Sequence, residues 1–443
     1  MSDATSMAED FASGRSDPVQ ALEQALDKAS RSASVFISLT AERARREAEA
    51  AAARWRAGQP LSAFDGVPLA WKDLFDMAGS ITTAGAACRR HAPAASLDAS
   101  CVGLLCRAGM VSVGKTNLSE LAYSGLGLNP HFGTPRNPYG TDLPRIPGGS
   151  SSGSAVAVAA GIVPIAMGTD TAGSIRIPAA LNGLVGYRSS SRRYSRDGVF
   201  PLAHTLDSLG PLTRSVRDAL AIDDLLHGRR QRHVARSVKG QRLVLEHGVL
   251  AEVDPAVRNN LLRAVEQLKA AGARVETRES PTFQATLALI KKHGWLGAFE
   301  AFALHQPLLD SADAEQLDPR VRRRLEAARS LPASQLIHVL DVRQRLQQQL
   351  IDELDGAILI TPTVAHVAPA LAPLEADDEL FVSTNLATLR LTMPGSLLDM
   401  PGVSLPSGRD AQGLPTGLLL SAPTGEDARL LRAALSVESV LNN

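Results

Sequence analysis

The chain has 443 residues, 44% of them hydrophobic, and its 46 basic and 46 acidic side chains cancel to a formal net charge of zero. A chain of this length can bury a large core, and the balanced charge lacks the basic surplus that is typical of nucleic-acid binding. Its three cysteines, Cys88, Cys101 and Cys106, have no Cys-x-x-Cys spacing, which argues against disulfides and zinc sites and favours reduced thiols.

The N-terminal part is predicted to be helical within residues 17–57. Asp17-Pro18 combines an N-cap with a first-turn proline and predicts a helix over Val19–Ser30. Ala41–Ala57 is rich in Ala, Arg and Glu and ends before a Gly-Gln-Pro sequence, which predicts a second helix.

Beyond residue 60, short apolar runs alternate with helical patterns. The predicted strands are Leu69–Leu74, Met110–Val113, Ile162–Met167, Leu243–Glu246, Ala357–Ile360 and Gly417–Leu420. The predicted helices are Leu97–Arg107, Asn117–Ala122, Ala155–Ala160, Pro211–Leu226, Pro255–Ala271, Arg320–Leu354 and Glu426–Leu441. This alternation indicates an α/β fold with helices on both faces of one sheet. Since no repeat or long linker divides the chain, we predict a single domain over 1–443, with a variable, mainly helical insertion at about 281–355.

A lysine stands inside the apolar segment Gly66–Asp73. Lys72 in an apolar strand is costly as an ammonium ion, because desolvation disfavours the charged form and lowers its pKa. A neutral lysine amine is a base. The alternative that this segment leaves open is an ordinary ion pair of Lys72 with Asp73 or Asp76.

The segment Gly109–Thr116 matches the phosphate-loop pattern G-x-x-x-x-G-K-[ST] and would suggest a nucleotide triphosphatase. A phosphate loop must follow a strand and stay a loop, whereas Met110–Val113 itself has the pattern of a strand. No apolar strand that ends in a magnesium-binding Asp follows downstream. We therefore do not favour the triphosphatase hypothesis.

Two Ser/Gly clusters, Gly148–Ser154 and Thr171–Ser174, bracket the small apolar run Ala155–Met167. Ser/Gly-rich sequence alone is typical of a flexible linker, but a linker would continue as polar sequence. The apolar run instead predicts a turn, a buried helix, a buried strand and a second turn. Glycine-rich turns of this kind let backbone N–H groups converge on developing negative charge, and the second turn ends in Ser174, a candidate nucleophile.

The same apolar run bears on location, because Ala155–Met167 is the longest apolar stretch in the chain. It is too short to span a bilayer and contains Pro164. Met1–Ser16 is polar and acidic, without the apolar core of a signal peptide. We therefore expect a cytoplasmic protein that has no membrane or nucleic-acid partner.

Lys72, Ser150 and Ser174 stand in sequence blocks that resemble the amidase signature family of serine hydrolases. The blocks that carry the resemblance are Gly66–Asp73, Gly114–Asn117 with Glu120, Pro147–Ser154, Gly168–Pro178, Asp207–Arg214, Asp399–Pro406 and Gly413–Gly417. The resemblance implies a mixed central β-sheet covered by helices on both faces. It also implies an amidase that hydrolyses carbon–nitrogen amide bonds of small molecules without a metal or organic cofactor.

The resemblance assigns a role to each catalytic residue. Ser174 is implied to be the nucleophile, Ser150 the bridging serine after a cis Gly149–Ser150 bond, and Lys72 the general base. Proton transfer from Ser174 through Ser150 to neutral Lys72 would activate the nucleophile and lead to an acyl-enzyme. The implied oxyanion hole consists of the backbone N–H groups of Thr171, Ala172, Gly173 and Ser174. Since the base must be neutral, activity is expected to rise toward alkaline pH.

Further residues near these blocks are candidates for supporting or substrate-binding roles. Asn117 and Thr169 are expected to orient the serines, and Tyr123 and His131 are candidates for the substrate pocket. Ser152 adds a hydroxyl near the relay. Ser152 and Ala172 stand where the family most often has glycine, and Ala172 would narrow the site near the scissile carbonyl.

Asp170 and Arg176 flank the second turn. We favour an ion pair that holds the turn, and the alternative is that Arg176 anchors a substrate carboxylate. The cluster of Arg320, Arg322, Arg323 and Arg324 is interpreted as a solvated helical face. Trp295 and Phe299 are candidates for a substrate lid or for a contact in a homodimer.

The resemblance leaves two functions open. One is a free-standing amidase for a small polar amide, such as a dicarboxylic monoamide or a urea-derived carboxylate. The other is the amidase subunit of a partner-dependent complex, as in glutamine-dependent transamidation of tRNA in the wider family. The presence of Lys72, Ser150 and Ser174 argues against an inactive scaffold in either case.

Overall fold

The central feature of the computed structural model, which describes residues 3–140, 143–229 and 233–442, is an 11-stranded mixed β-sheet. The strands are β1 (Phe36–Leu39), β2 (Pro68–Lys72), β3 (Val111–Thr116), β4 (Ile165–Asp170), β5 (Val185–Arg188), β6 (Ser208–Thr213), β7 (Arg242–Glu246), β8 (Arg274–Arg278), β9 (Ile358–Pro362), β10 (Gly402–Arg409) and β11 (Pro415–Ser421). Their order across the sheet is β1-β3-β2-β4-β6-β5-β10-β11-β9-β7-β8. The pairs β2–β3, β2–β4, β7–β8 and β7–β9 are parallel, and the other neighbours are antiparallel.

Helices cover both faces of this sheet. They are α1 (Ala4–Ala12), α2 (Pro18–Arg31), α3 (Ala41–Arg56), α4 (Ser100–Arg107), α5 (Ser152–Ala159), α6 (Arg176–Leu181), α7 (Val216–Leu226), α8 (Pro255–Ala270), α9 (Pro281–His293), α10 (Leu296–Leu309), α11 (Pro319–Glu326), α12 (Ala333–Leu354), α13 (Leu371–Ala376), α14 (Asp378–Leu389), α15 (Met393–Leu397) and α16 (Asp427–Leu441). The predicted fold class, a single α/β domain with a mixed central sheet, is confirmed. The stretch at about 281–355, predicted as a mainly helical insertion, contains α9 to α12.

Three predicted helices differ from the structure. The stretch predicted as a helix from Pro211 is split, because residues up to Thr213 form β6 between β4 and β5 and α7 begins only at Val216. The long helix predicted to end at Leu354 is two helices, α11 and α12, since Pro332 cannot continue a helical hydrogen-bond ladder. The helix predicted over 117–122 is a single 3-10 turn in which Leu121 has φ 50°.

The sheet places the ends of two strands beside each other. β2 ends at Lys72, and β4, its parallel neighbour, ends at Asp170 directly before the turn 171–174. Carboxyl ends of adjacent parallel strands open on the same edge of a sheet, where ligands of α/β proteins commonly bind. The turn leads into α6, and α5 begins at Ser152 on the other side of β4 in sequence.

Candidate active site

The buried amine of Lys72 lies at the centre of the site. Its Nζ donates hydrogen bonds to Ser150 Oγ and to Thr169 Oγ1, each at 2.7 Å, and the residue is fully buried. Burial lowers the pKa of Lys72 to about 7, although the nearby carboxylates of Asp170 and Asp207 act in the opposite direction. The amine is therefore poised between its charged and neutral forms near neutral pH.

The open alternative for Lys72, an ion pair with Asp73, is not what the structure shows. Asp73 pairs with Lys115, with 2.7 Å between Nζ and Oδ1. Lys115 belongs to β3, so the segment that matched the phosphate-loop pattern is a buried strand. An amine held inside the protein by Asp73 cannot bind a nucleotide phosphate, which agrees with the rejection of the triphosphatase hypothesis.

Ser150 follows a cis peptide bond between Gly149 and Ser150, as the family resemblance implies. A Cβ at Gly149 would lie 2.6 Å from the backbone nitrogen of Gly127 and 2.8 Å from the carbonyl oxygen of Ser124. Only glycine fits between these two backbone segments. The N–H of the next residue, Ser151, donates to the carbonyl of Ser174 at 3.2 Å and joins the two Ser/Gly clusters.

The turn 171–174 is organised around the buried carboxylate of Asp170. This carboxylate accepts hydrogen bonds from the Ile175 N–H at 3.1 Å and from Arg176 Nε and Nη2 at 3.0 and 2.9 Å. Burial acts to raise the pKa of Asp170, but the Arg176 and Arg188 guanidinium groups hold it well below its usual range. Arg176 is fully buried and also donates to Ser396 at 2.7 Å. The structure therefore supports the ion-pair interpretation and leaves Arg176 no access to a substrate carboxylate.

The structure changes one detail of the predicted oxyanion hole. The Gly173 N–H donates to Asp170 Oδ1 at 2.8 Å, so it points away from a substrate. In the parts of the chain that the structure describes, the N–H groups of Thr171, Ala172 and Ser174 have no protein acceptor. The turn is supported from outside by Thr392, whose Oγ1 donates to the Ala172 carbonyl at 2.6 Å.

Ser174 faces a narrow cleft with at most about 320 Å³ of unfilled space. The cleft is lined by Ala122, Tyr123, Ser124, Thr171, Ala172, Ser174, Leu202, Trp295, Gly297, Arg324 and Leu389. Within this lining, Arg324 supplies the one charged side chain. Its Nη1 donates to the Tyr123 carbonyl at 2.7 Å, and its guanidinium carbon lies 4.4 Å from the centre of the Tyr123 ring.

This position corrects the interpretation of the arginine cluster as a solvated helical face. Arg324 lies in the cleft beside Ser174, while Arg322 and Arg323 form ion pairs with exposed Glu315 and Asp378. The cluster pattern contained no signal for this difference, because Arg324 and Tyr123 are 201 positions apart in sequence.

The remaining sequence candidates divide into cleft and support residues. Tyr123 and Trp295 line the cleft, whereas Phe299 does not. Asn117 donates from Nδ2 to the carbonyls of Ser34 and Gly133, both at 2.8 Å, so it fixes a loop.

Ser152 and His131 also lie outside the cleft lining. The Ser152 Oγ is 3.5 Å from the Asn117 carbonyl oxygen at the start of α5. His131 lies with Nε2 3.0 Å from Oε1 of buried Glu120, so the pocket role considered for His131 is not supported.

A search for metal-ligand clusters and for membrane spans has a negative result over residues 3–140, 143–229 and 233–442. There, no three His, Cys, Asp or Glu side chains converge on a position that could hold a metal ion. No helix in these ranges is both long and apolar enough to cross a membrane.

Comparison with known proteins gives concordant matches over nearly the whole chain. The family model described as Amidase matches residues 18–431. A 2-amino-5-chloromuconic acid deaminase from Comamonas testosteroni is 34% identical over 393 residues, which cover 87% of this chain and 83% of the deaminase. A glutamyl-tRNA(Gln) amidotransferase subunit from Halorhodospira halophila is 33% identical over 444 residues, which cover 91% of this chain and 89% of that protein. A crystal structure of an amidase has a TM-score of 0.88 with this fold and is 33% identical, with 99% of both chains covered.

Proposed function

The chain belongs to the amidase family, whose members hydrolyse carbon–nitrogen bonds, and we propose that Ser174 carries the acyl group during this reaction. The observation that carries the proposal is the 2.7 Å contact between Lys72 Nζ and Ser150 Oγ. It joins a buried amine to a serine whose neighbour, Ser151, is hydrogen-bonded to Ser174. This arrangement supplies a nucleophile, a bridge and a base within one buried network.

The first half-reaction acylates Ser174. Neutral Lys72 accepts the proton of Ser150 while Ser150 accepts the proton of Ser174, whose Oγ attacks the amide carbonyl. The oxyanion of the tetrahedral intermediate is stabilised by the free N–H groups of Thr171, Ala172 and Ser174, each worth on the order of 3 kcal/mol of barrier. The proton then returns through Ser150 to the leaving nitrogen, and the carbon–nitrogen bond breaks.

The second half-reaction uses the same groups in reverse. Water replaces the amine, gives its proton to the Ser150–Lys72 pair and attacks the acyl carbonyl. Collapse of the second tetrahedral intermediate returns the proton to Ser174 Oγ and releases the carboxylate product. Thr169 accepts a hydrogen bond from Lys72 throughout and keeps the amine directed at Ser150.

We further propose that the substrate is a small amide that bears a carboxylate. The cleft is too narrow for a large acyl group, and Arg324 offers a cation beside Ser174. No acidic side chain stands among the described residues that line the cleft. A substrate with an anionic group and no ammonium group is therefore the best electrostatic match.

The test is ammonia release from dicarboxylic monoamides and from uncharged amides of the same chain length. We expect Ser174→Ala to abolish release. We expect Arg324→Leu to lower kcat/KM for the acidic amides by roughly 10- to 150-fold, the loss of one hydrogen bond to a charged group, and to leave uncharged amides within a few-fold. Arg324→Lys keeps the charge and should retain part of the preference. Equal rates of wild type and Ser174→Ala would show that the nucleophile is misassigned.

A second candidate function is the amidase subunit of a partner-dependent amidotransferase. It is favoured by the similarity to the glutamyl-tRNA(Gln) amidotransferase subunit from Halorhodospira halophila. Such a subunit would take ammonia from glutamine, which carries an ammonium group as well as a carboxylate. The described cleft lining offers no anion for that ammonium group, so we favour the free-standing amidase. Glutaminase activity that appears only with an added partner would reverse this preference.

We also propose a cytoplasmic location, supported by three cysteines that are all free thiols. The cleft is lined by residues of one chain. If the protein forms a homodimer, hydrolysis should therefore not depend on the second copy, and specific activity should not change across a dilution series.

A further inference from the structure

Glu120 is a buried carboxylate that the proposed relay does not use. Its side chain is fully buried, and Oε2 accepts a hydrogen bond from the Asp318 N–H at 2.7 Å. Oε1 lies 3.0 Å from His131 Nε2. Burial raises the pKa of Glu120 to about 8. A carboxyl group in such a place is costly unless its hydrogen bonds serve a purpose.

Glu120 begins the segment that forms one wall of the cleft. It opens the 3-10 turn Glu120–Ala122, in which Leu121 and Ala122 have φ values of 50° and 59°. Ala122, Tyr123 and Ser124 then line the cleft beside Ser174. The carboxylate therefore lies one turn from the substrate.

The partner of Glu120 stands at the start of α11, the helix that carries Arg324. Asp318 is the N-cap of α11, and its own side chain accepts from the Arg320 N–H at 2.9 Å. Arg324 follows six positions later, about 9 Å along a helix that rises 1.5 Å per residue. Its Nη1 donates to the Tyr123 carbonyl at 2.7 Å. The helix is thus joined to residues 120–123 at both ends.

These two hydrogen bonds do what apolar packing cannot. Val321 and Leu325 of α11 are buried in an apolar cluster that also contains Leu121. Apolar burial holds the helix against the protein, but it has no directional preference. The bond from Asp318 to Glu120 is directional and sets the position of α11 along and around its own axis.

We propose that Glu120 is a positioning residue for substrate recognition, which holds the start of α11 through the Asp318 N–H and so fixes Arg324 at the cleft. This inference rests on the proposed function, in which Arg324 binds the substrate carboxylate. Glu120 does not contact the substrate itself. Its loss lets α11 shift and weakens the contact of Arg324 with the carboxylate, while the chemistry at Ser174 continues.

The first test compares Glu120→Leu with Glu120→Gln. Glutamine keeps an acceptor oxygen for the Asp318 N–H, and leucine of similar size does not. Since a misplacement of about 1 Å far from the chemistry can cost up to a hundredfold, we expect Glu120→Leu to lower kcat/KM for a dicarboxylic monoamide by about tenfold or more. The loss should lie in KM, with kcat for the uncharged amide of equal length unchanged. Glu120→Gln should remain close to wild type.

The second test removes the donor and leaves Glu120 intact. Asp318 has φ −51° and Leu317 has ψ 150°, so proline fits at 318. Asp318→Pro removes the N–H and the capping side chain, while Asp318→Ala removes the capping side chain alone. We expect the KM for the acidic amide to rise in Asp318→Pro and not in Asp318→Ala.

The outcomes separate this inference from the proposed function. If Arg324→Leu leaves the preference for acidic amides unchanged, both proposals fail. If Arg324→Leu abolishes the preference but Glu120→Leu and Asp318→Pro retain it, only the positioning role is overturned. Equal losses on acidic and uncharged amides in Glu120→Leu and Asp318→Pro would show that Glu120 is merely structural, which also overturns it.

Discussion

In the proposed relay, Lys72 acts only as a neutral amine, and its surroundings decide how much of it is neutral. The amine is fully buried in the described structure and contacts two hydroxyl groups, Ser150 and Thr169, rather than a carboxylate. A hydroxyl stabilises the ammonium form less than an ion pair does, so desolvation dominates. Asp73, the nearest acidic residue in sequence, is occupied by Lys115.

The pH dependence of hydrolysis follows from this environment. Because burial lowers the pKa of Lys72 to about 7, the neutral base becomes the major form as the pH rises through 7. We expect kcat/KM for an amide substrate to increase between pH 6 and 8 and to level off above pH 8. The measurement is a kcat/KM profile from pH 5.5 to 9 at constant ionic strength.

Two controls make the profile interpretable. Lys72→Ala should remove activity at every pH, and unfolding monitored over the same range should show that the wild type stays folded. A profile that is flat or falls between pH 6 and 8 while chemistry limits the rate would contradict Lys72 as the base.

At this scale, sequence motifs predict the residues that the structure brings together, but not where every side chain points. Lys72, Ser150 and Ser174 stand in ordered blocks that a single sequence reveals. The resemblance implies that Gly173 offers its N–H to the substrate, whereas this N–H donates to Asp170. The position of Arg324 could not be predicted, because its contact with Tyr123 depends on tertiary packing between distant segments.

At the scale of elements, the approach to α5 has the least tolerance for change. The segment before α5 carries Ser150, and Gly149 lies against the backbone of Gly127 and Ser124. In Gly149→Ala, the new Cβ would lie 2.6 Å from a backbone nitrogen that cannot move aside as a side chain does. We expect this variant to displace Ser150 from Lys72, to lose at least about a hundredfold in kcat and to have a lower Tm.

Gly103 provides the matched control for Gly149→Ala. It lies in α4, and a Cβ there would meet only the end of the Arg107 side chain at 3.2 Å. Gly103→Ala should leave kcat unchanged and raise stability by up to about 1 kcal/mol, since alanine favours a helix over glycine. A Gly149→Ala enzyme with wild-type kcat would show that the close approach is not needed for the relay.

Local signals predicted some elements well and missed others for physical reasons. The Asp-Pro pairs predicted the starts of α2 and α8, which begin at Pro18 and Pro255. β8 is mostly polar and pairs only with β7 at the sheet edge, so no apolar run announced it. β6 contains Pro211, which suggested a helix start although it pairs with Met167 of β4.

At the scale of the whole molecule, the order of the strands brings the site together. β2 and β4 are neighbours in the sheet, although β3 lies between them in sequence. This parallel pairing brings Lys72 to Thr169, 97 positions away. Periodicity indicates which segments are strands, but it does not contain their order, so the sheet topology could not be predicted from the residues.

The two ends of the described chain meet on the outside of this sheet. Asp218 of α7 accepts hydrogen bonds from the Ala4 N–H at 2.8 Å and the Thr5 N–H at 2.9 Å at the start of α1. Glu438 of α16 accepts from the Val216 N–H at 2.9 Å, at the start of α7. The carboxylates of Asp218 and Asp3 therefore lie near Glu438, with Arg217 as the opposing cation.

The stability of this junction should depend on the ionisation of Glu438. Burial raises the pKa of Glu438 from 4.5 to about 7, and the nearby Asp218 and Asp3 act in the same direction. A folded-state pKa above the unfolded value stabilises the protein fully below pH 4.5, and this contribution is lost as the pH rises through 7. Glu438→Gln keeps an acceptor for the Val216 N–H and cannot ionise. We therefore expect Glu438→Gln to raise Tm relative to wild type at pH 8 and not at pH 5, and equal Tm differences at both pH values would contradict a titrating Glu438.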